Sequence, residues 1–536
     1  MDLTQEVKAW IADDPDPNTA AQLQQWLDSN NEVELRASFS GFLQFGTAGL
    51  RGPIRPGPSG MNRAVVGRTA AGLAAYMKER NLTSVVIGRD ARYGSEDFTF
   101  ETAQIMSGAG MKVYVLPRPL PTPVLAFATN ELKCDVGIMV TASHNPPQDN
   151  GYKVYLGGTV DGIHYRGSQI VSPTDESIAQ KIDSITSLAS HPRGKEWTVL
   201  GEEVVDKYVG ITGALAHKPG NLKIVYTAMH GVGTETLQRV FHKAGFPQTI
   251  LVESQAKPDP DFPTVAFPNP EEPGAIDLAL ETARAFDADL VIANDPDADR
   301  CAAAVKDPVK GWRMLRGDEL GVIFGETIAR ATTQGILANS IVSSSILSKI
   351  AAHYKLDFRE TLTGFKWLAK IDGLTFGYEE ALGYAVDAVT VNDKDGISAA
   401  IKLAQIATDL AAQSKTLLDL LDEVWARHGF HATEQISIRL SDLSQVGVIM
   451  GNLRRNSPKE IAGRTVTSID DLAKPKDGLP PTDGLRIWLD GGIRIIIRPS
   501  GTEAKMKCYI EAIAKDSATA QTVLDQLRAP LKELLS

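Results

Sequence analysis

What most restricts the fold is an alternation, sustained over most of the chain, of short apolar runs with segments of helical period. Residues 84–88 (SVVIG), 111–116 (MKVYVL) and 135–142 (DVGIMVTA) read as strands, with 120–132 a helix between the last two. The rhythm returns at 223–229 (KIVYTAM), 248–253 (QTILVE) and 289–293 (DLVIA), and again at 339–345 (NSIVSSS) and 357–363. Strands alternating with helices build βα units around largely parallel sheets. The chain has 536 residues, too many for one hydrophobic core. At about 150 residues per domain, three or four domains are expected. The tail reads differently: 435–440, 485–489 and 494–498 are antiparallel strands, 474–484 (KPKDGLPPTDG) is a turn-rich loop, and 518–535 is a closing helix. That end is a smaller α+β domain.

Charge and cysteine usage narrow the partners. Lys and Arg number 55 against 66 Asp and Glu, a net charge of −11 that opposes binding to nucleic acid or an anionic membrane. Cys134, Cys301 and Cys508 are scattered without CxxC spacing, so no disulfide framework forms and a reducing compartment is expected. The opening MDLTQEVKAW has no basic segment followed by an apolar one, and no apolar run approaches the ~20 residues of a bilayer span. The expectation is a soluble cytoplasmic protein.

Three segments carry chemistry. In NDPDADR (294–300), Asp295, Asp297 and Asp299 follow the apolar run 289–293 at alternate positions. In extended backbone that spacing aims three carboxylates to one side, where a cation must offset them. An oxygen-only donor set favours Mg²⁺ over zinc. An EF-hand loop would need Gly and Glu where Arg300 and Lys306 stand. A solvated acidic turn is the plain alternative, but ligands of open α/β sheets sit at strand carboxyl ends. In TASHNP (141–146), Ser143 leaves another apolar strand with His144 beside it, and Lys153 follows in NGYKVY. The serine is either a nucleophile toward phosphorus or a capping residue of a polar loop, and no GxSxG elbow surrounds it. In RPSGTEAK (498–505), Arg498, Ser500, Thr502 and the amides around Gly501 make either a phosphate cradle or a turn between two strands. Weaker segments are GYEEALG (377–383) with Glu379 and Glu380, DKDG (393–396) with Lys394, and the glycine-rich FGTAGLRG (45–52) with Arg51.

In this order, FGTAGLRG, TASHNP, DPDADR, TGFKWL, YEEALG, DKDG and RPSGTEAK resemble the motifs of the α-D-phosphohexomutase superfamily over nearly the whole chain. The resemblance implies three related α/β domains with mixed, largely parallel sheets and a smaller C-terminal α+β domain around a central cleft. The boundaries expected here are 1–205, 206–315, 316–430 and 431–536. It implies a phosphosugar mutase, an isomerase, in which Ser143 is phosphorylated and exchanges its phosphoryl group with a sugar phosphate through a bisphosphorylated intermediate. Asp295, Asp297, Asp299 and a phosphoserine oxygen of Ser143 would hold one Mg²⁺, and Arg300 would lie near the transferring group. Lys153 and His144 match positions that assist proton transfer, and Arg51 matches the loop approaching the phosphoserine. Glu379 matches the sugar-binding glutamate, with Glu380 beside it. Thr363 and Gly364 match a substrate loop, and Lys394 a lysine near the substrate. Arg498, Ser500, Gly501 and Thr502 match the grip on the non-reacting phosphate. A sugar 1,6-bisphosphate activator and small-molecule sugar phosphates are implied, with a monomer or a dimer compatible.

One departure concerns the sugar. Many phosphoglucomutases carry Ser two positions after the binding glutamate, where this chain has Ala381. YEEALG is similar to the phosphopentomutase-type and broad phosphoglucomutase/phosphomannomutase branch, and a lost hydroxyl contact of about 1 kcal/mol loosens selectivity without abolishing binding. Glucose phosphates are the first expectation, then mannose and pentose phosphates. Rival classes are a Mg²⁺-dependent phosphatase using the same serine and aspartates, and a dinucleotide-binding oxidoreductase suggested by Gly231-Val232-Gly233. The latter lacks the third glycine, Thr236 standing in its place. A non-catalytic binding protein would not need the serine and the aspartates together.

Overall fold

The computed structural model describes residues 2–442, 444–476, 478–499 and 505–535. It divides into two compact units, the first holding the chain up to Leu315 with Ala369–Asp372 and Ala381–Asp409, the second Arg316–Leu368, Gly373–Glu380 and the chain from Leu410 onward.

The first unit carries two large sheets besides the two-stranded ribbon of Thr159–Val160 and Ile163–His164. In one, Ser84–Arg89 pairs in parallel with Lys112–Val115 and Val136–Val140, while Asp149–Leu156 returns antiparallel to Val136–Val140 and carries Leu50–Pro53 on its other edge. Every residue of Val136–Val140 is buried, as expected of a strand covered on both faces. The helix expected over 120–132 runs Thr122–Glu131, with a proline in its first turn where the missing N–H costs nothing. In the other sheet, Ile224–Thr227 is parallel to Ile250–Leu251 and to Leu290–Ala293, and Ala302–Asp307 and Gly311–Met314 extend it antiparallel. Leu290–Ala293 is likewise wholly buried. Three helices at the start, Leu3–Asp13, Pro17–Asp28 and Glu32–Ser38, form a satellite core of Val7, Leu23 and Leu35 under Trp10, Trp26 and Phe39.

The second unit holds the parallel strands Asp357–Thr361, Ile336–Ser340 and Leu374–Glu379. It also holds an antiparallel sheet in the order Phe430–Arg439, Lys505–Ala514, Ile493–Pro499, Leu485–Leu489, Arg464–Asp471 and Glu460–Ile461. The helix Ser517–Leu534 covers it through Ala520, Leu524, Leu527 and Leu531. The α/β blocks and the α+β tail are thus as expected, with two corrections. The strand expected over 339–345 ends at Ser340, because side chains claim the backbone beyond it. Arg494 donates to the carbonyls of Ile341, at 3.1 Å, and of Ser343, and Glu511 accepts from the Ser345 amide at 2.8 Å. The strand expected at 248–253 shrinks to Ile250–Leu251, followed by a single turn of 3₁₀ helix at Glu253–Gln255. Among the described residues no helix is long and apolar enough to cross a membrane.

Candidate active site

Three strands of the first unit end at one place. Val136–Val140 runs into Ser143, Leu290–Ala293 into the aspartates, and Ser84–Arg89 into Asp90 and Arg92. Carboxyl ends of parallel strands leave loop amides and side chains free to meet a ligand.

Asp295, Asp297 and Asp299 are buried, and one oxygen of each lies within 4.8 Å of the others. They converge as expected, but through a turn and not through extended backbone. The Ala298 amide donates to the Asp295 carbonyl at 2.8 Å, and Ala298 itself has φ +54°. The turn folds alternate side chains together more sharply than a pleated strand would. The Asp297 and Asp299 Oδ1 atoms are buried with no hydrogen-bond partner. Orphaned carboxylate oxygens pointing into an oxygen-only cluster are what a hard divalent cation requires, so the donor set fits Mg²⁺.

Cations and hydroxyls ring the cluster. Lys153 Nζ, on the buried strand Asp149–Leu156, donates to Asp297 Oδ2 at 2.7 Å and Asp299 Oδ2 at 2.9 Å. Lys394 Nζ lies 3.1 Å from Asp299 Oδ2. Thr122 Oγ1, at the start of its helix, donates to Asp297 Oδ2 at 2.6 Å. The Arg300 amide donates to Asp295 Oδ1 at 3.0 Å, while its guanidinium stands 3.9 Å from Asp295 and 4.0 Å from Glu271. Burial, with the charges of Asp297 and Asp299 beside it, pushes the Asp295 carboxyl up to about 8. Burial acts the same way on Asp299, yet Lys153, Lys394 and Arg300 hold it well below the usual range.

Ser143 is buried with φ +53°, and its Oγ donates to Asp295 Oδ2 at 2.7 Å. His144 Nδ1 is 3.2 Å from the same Oγ. Burial, then the charges of Arg300 and Arg51, keep this imidazole neutral far below its ordinary pKa. Arg51 Nη1 donates to Asn145 Oδ1 at 3.1 Å, two residues past the serine. The structure therefore brings together Ser143, His144, Lys153, Arg51, Arg300, Lys394 and the three aspartates.

The remaining candidates lie in the second unit. Glu379 Oε1 accepts from the Gly364 amide at 2.6 Å, so the Thr363–Gly364 loop and the glutamate brace each other. Glu380 turns to the hydroxyls of Ser340, at 3.1 Å, and Ser343, at 3.0 Å. Burial, then the charges of Glu379 and Asp318, push its carboxyl up to about 7. Arg498, near the end of Ile493–Pro499, lies 5.8 Å from the Tyr509 ring centroid, and its Nε is buried without a partner. Ser500, Gly501 and Thr502 lie outside the described residues.

Sequence reasoning missed Arg92, Thr122 and Glu271. Arg92 sits in GRDAR directly after a strand, a position like those of Ser143 and Asp295, and that shared position was the available signal. Thr122 and Glu271 carry no local mark. The Gly231-Val232-Gly233 segment serves the aspartate loop: a Cβ on Gly231 would fall 2.3 Å from Pro296 Cα, and the Val232 amide donates to the Pro296 carbonyl at 2.8 Å. Close backbone approach, not a dinucleotide, accounts for the first glycine.

Comparison with known proteins agrees with this geometry. Residues 43–189, 205–311 and 316–428 match alpha/beta/alpha domains I, II and III of phosphoglucomutase/phosphomannomutase, and 450–529 match its C-terminal domain. A Haemophilus influenzae protein named "Probable phosphomannomutase" is 48% identical over 482 residues, covering 89% of this chain and 98% of the relative. The phosphopentomutase of Mus musculus is 33% identical over 595 residues, covering 99% and 94%. In fold, a phosphoglucomutase/phosphomannomutase family protein from Burkholderia thailandensis superposes with a TM-score of 0.71 at 21% identity, covering 90% of this chain and 96% of that one. With α/β blocks and an α+β tail in the expected order, a buried acidic triad beside a serine and these matches, the chain belongs to the phosphoglucomutase/phosphomannomutase family of the α-D-phosphohexomutase superfamily, magnesium-dependent isomerases acting on sugar phosphates.

Proposed function

We propose that this enzyme interconverts sugar 1-phosphates and 6-phosphates, glucose first, through a phosphoserine at Ser143 and a bisphosphorylated sugar. The carrying observation is the 2.7 Å contact of Ser143 Oγ with Asp295 in a buried loop beside three convergent carboxylates. In the forward half-reaction a sugar hydroxyl oxygen attacks phosphorus, the Oγ–P bond of the phosphoserine breaks, the hydroxyl proton passes by way of the acid–base groups of the site to the departing Ser143 oxygen, and the sugar becomes a bisphosphate. In the second half the Ser143 hydroxyl attacks the other phosphate, and that sugar–oxygen bond to phosphorus breaks. His144, neutral and 3.2 Å from Oγ, is suited to take the hydroxyl proton. Lys153, kept cationic against burial by Asp297 and Asp299, is suited to give a proton to the departing oxygen. Arg51, Arg300 and Lys394 spread positive charge over the transferring oxygens, the main task in phosphoryl transfer. Asp295, Asp297, Asp299 and an oxygen of phosphorylated Ser143 would hold the magnesium ion, which supplies charge neutralisation when bound. Thr363, Gly364, Glu379 and Glu380 are assigned to the sugar, and Arg498 with 500–502 to the non-reacting phosphate. A sugar 1,6-bisphosphate is assigned as activator, within four domains bounded near 205, 315 and 430. The buried free cysteines suit a reducing cytoplasm.

Mannose phosphates stand second, favoured by the name of the 48% identical relative, and pentose phosphates third, favoured by that of the murine one. The test is kcat/KM with Mg²⁺ and matching bisphosphates on glucose, mannose and ribose 1-phosphates, with Ser143→Ala alongside. Glucose should lead, and Ser143→Ala should lose at least about 1,000-fold. Near-normal turnover of that variant would remove the phosphoserine. Steady release of inorganic phosphate without isomerised sugar would make the enzyme a phosphatase.

A further inference from the structure

Arg92 is an almost fully enclosed cation outside the motifs that suggest the reaction, its side chain 1% exposed. It touches no carboxylate of the metal cluster. Its Nη2 donates to the carbonyls of Ser143 and Asn145, both at 2.6 Å, and its Nη1 to those of Pro146 at 2.8 Å and Asp149 at 3.2 Å. Four carbonyls of one loop are thus gathered on one guanidinium. Its charge is met by Asp90 Oδ2, 3.3 Å from Nε, and its face lies 4.8 Å from the Phe262 ring centroid. Asp90 is itself anchored, its Oδ1 accepting from the Arg92 amide at 3.0 Å and from Ser95 Oγ at 2.6 Å. Asn150 closes the far end, donating to the Tyr93 carbonyl at 2.8 Å and to Ser95 Oγ at 3.0 Å.

We propose that Arg92 is the positioning residue of the serine loop: its fork on the carbonyls of residues 143, 145, 146 and 149 keeps Ser143 in the left-handed backbone that aims its hydroxyl at Asp295. The proposal rests on the reading of Ser143 as the phosphoryl carrier. The physical case has three parts. Ser143 has φ +53°, a region that residues with a Cβ enter only when their surroundings impose it. The Ser143 carbonyl belongs to the peptide plane joining Ser143 to His144, so holding it fixes both the serine and the departure of the imidazole. Carbonyls turned inward at several points of one loop need a donor array with rigid spacing, which a guanidinium has and an ammonium lacks.

The test compares Arg92→Met and Arg92→Lys with the wild type and Ser143→Ala, all as full-length protein with Mg²⁺. The readouts are thermal unfolding, steady-state kcat and KM for glucose 1-phosphate, and the rate at which glucose 1,6-bisphosphate phosphorylates Ser143, followed by intact mass after rapid quench. Arg92→Met should lower kcat and the phosphorylation rate together by about 100-fold in folded protein, with KM within about threefold. Arg92→Lys, which keeps the charge and part of the donor set, should recover about tenfold of that loss. A role confined to stability would lower the melting temperature and leave the phosphorylation rate of the folded fraction unchanged. That outcome, or a change confined to KM, overturns the proposal. Should Arg92→Met fail to fold, Arg92→Lys decides alone: a wild-type phosphorylation rate overturns the proposal and a slowed one supports it. If wild-type Ser143 takes up no phosphate and Ser143→Ala turns over normally, the carrier reading itself falls. If wild-type Ser143 is labelled and the Arg92 variants match it, only the role of Arg92 falls.

Discussion

Asp297 divides its two oxygens between different duties. Oδ2 accepts from Lys153 and Thr122, and Oδ1 is buried with no donor near it. The first oxygen fixes the carboxylate, and the second is left for a cation. Asp297→Asn keeps the shape of the side chain but removes the charge and turns one oxygen into a donor facing Lys153 or the ion. Because loss of a group merely supporting a ligand often costs 10–100-fold in metal affinity, loss of the ligand's charge should cost at least about 100-fold. Titration of turnover against Mg²⁺ checks this, and an unchanged half-saturation would count against the triad as the metal site. At this scale the sequence was informative where a residue type is itself the chemistry: three carboxylates at alternate positions, a serine beside a histidine. It was silent on Thr122 and Glu271, whose types occur everywhere and whose roles come only from what stands opposite them.

The elements that carry the site are legible because a strand buried on both faces is an unbroken apolar run. Val136–Val140 and Leu290–Ala293 fell within a residue or two of the expected bounds. Less legible was Arg464–Asp471 (RTVTSIDD), a strand of the antiparallel sheet with no fully buried residue, whose ladder, not its own apolarity, makes it one. The end of Ile336–Ser340 escaped as well, since Arg494 and Glu511, far along the chain, take over the next backbone groups. The packing of the helix Gly233–Lys243 against the aspartate turn gives a prediction of its own. Gly231, just before that helix, has no room for a methyl group, because its Cβ would overlap the Pro296 backbone. Gly231→Ala should therefore push the turn aside and lower both Mg²⁺ affinity and kcat by about tenfold or more, with an otherwise folded enzyme. Circular dichroism together with the Mg²⁺ titration would check it, and wild-type values for both would remove the packing argument.

The units of the whole molecule are not the blocks of the chain. Residues Ala381–Asp409 belong with the first unit, although they follow a long stretch of the second. Within the first unit the Cys301 amide donates to the Leu382 carbonyl at 3.0 Å and the Gly396 amide to the Ala298 carbonyl at 3.2 Å, while Tyr208 donates to Asp395 at 2.9 Å. The aspartate turn is completed by chain that arrives nearly a hundred residues later, the separation of Ala298 from Gly396. A fragment ending at Leu315 would lack the helix Gly396–Ala411 and leave the Cys301 amide, the Ala298 carbonyl and the Tyr208 hydroxyl without these partners. It should unfold well below the full chain, by on the order of 10 °C or more, or lack a cooperative transition. Thermal unfolding of fragment and full chain side by side tests this, and equal midpoints would show that the later segment is dispensable.

By itself the sequence determined the kind of fold, through apolar periodicity, and the reaction class, through short motifs standing in the order of the family's, because both are properties of short segments. Only the tertiary structure decided that the carboxylates meet through a turn and that Glu380 faces serines while Glu379 braces the Gly364 loop. It also decided that one buried arginine gathers the serine loop. Each depends on groups brought within hydrogen-bond reach from distant parts of the chain. Such pairings are settled by close packing and by the need of every buried polar atom for a partner, and no local pattern records them.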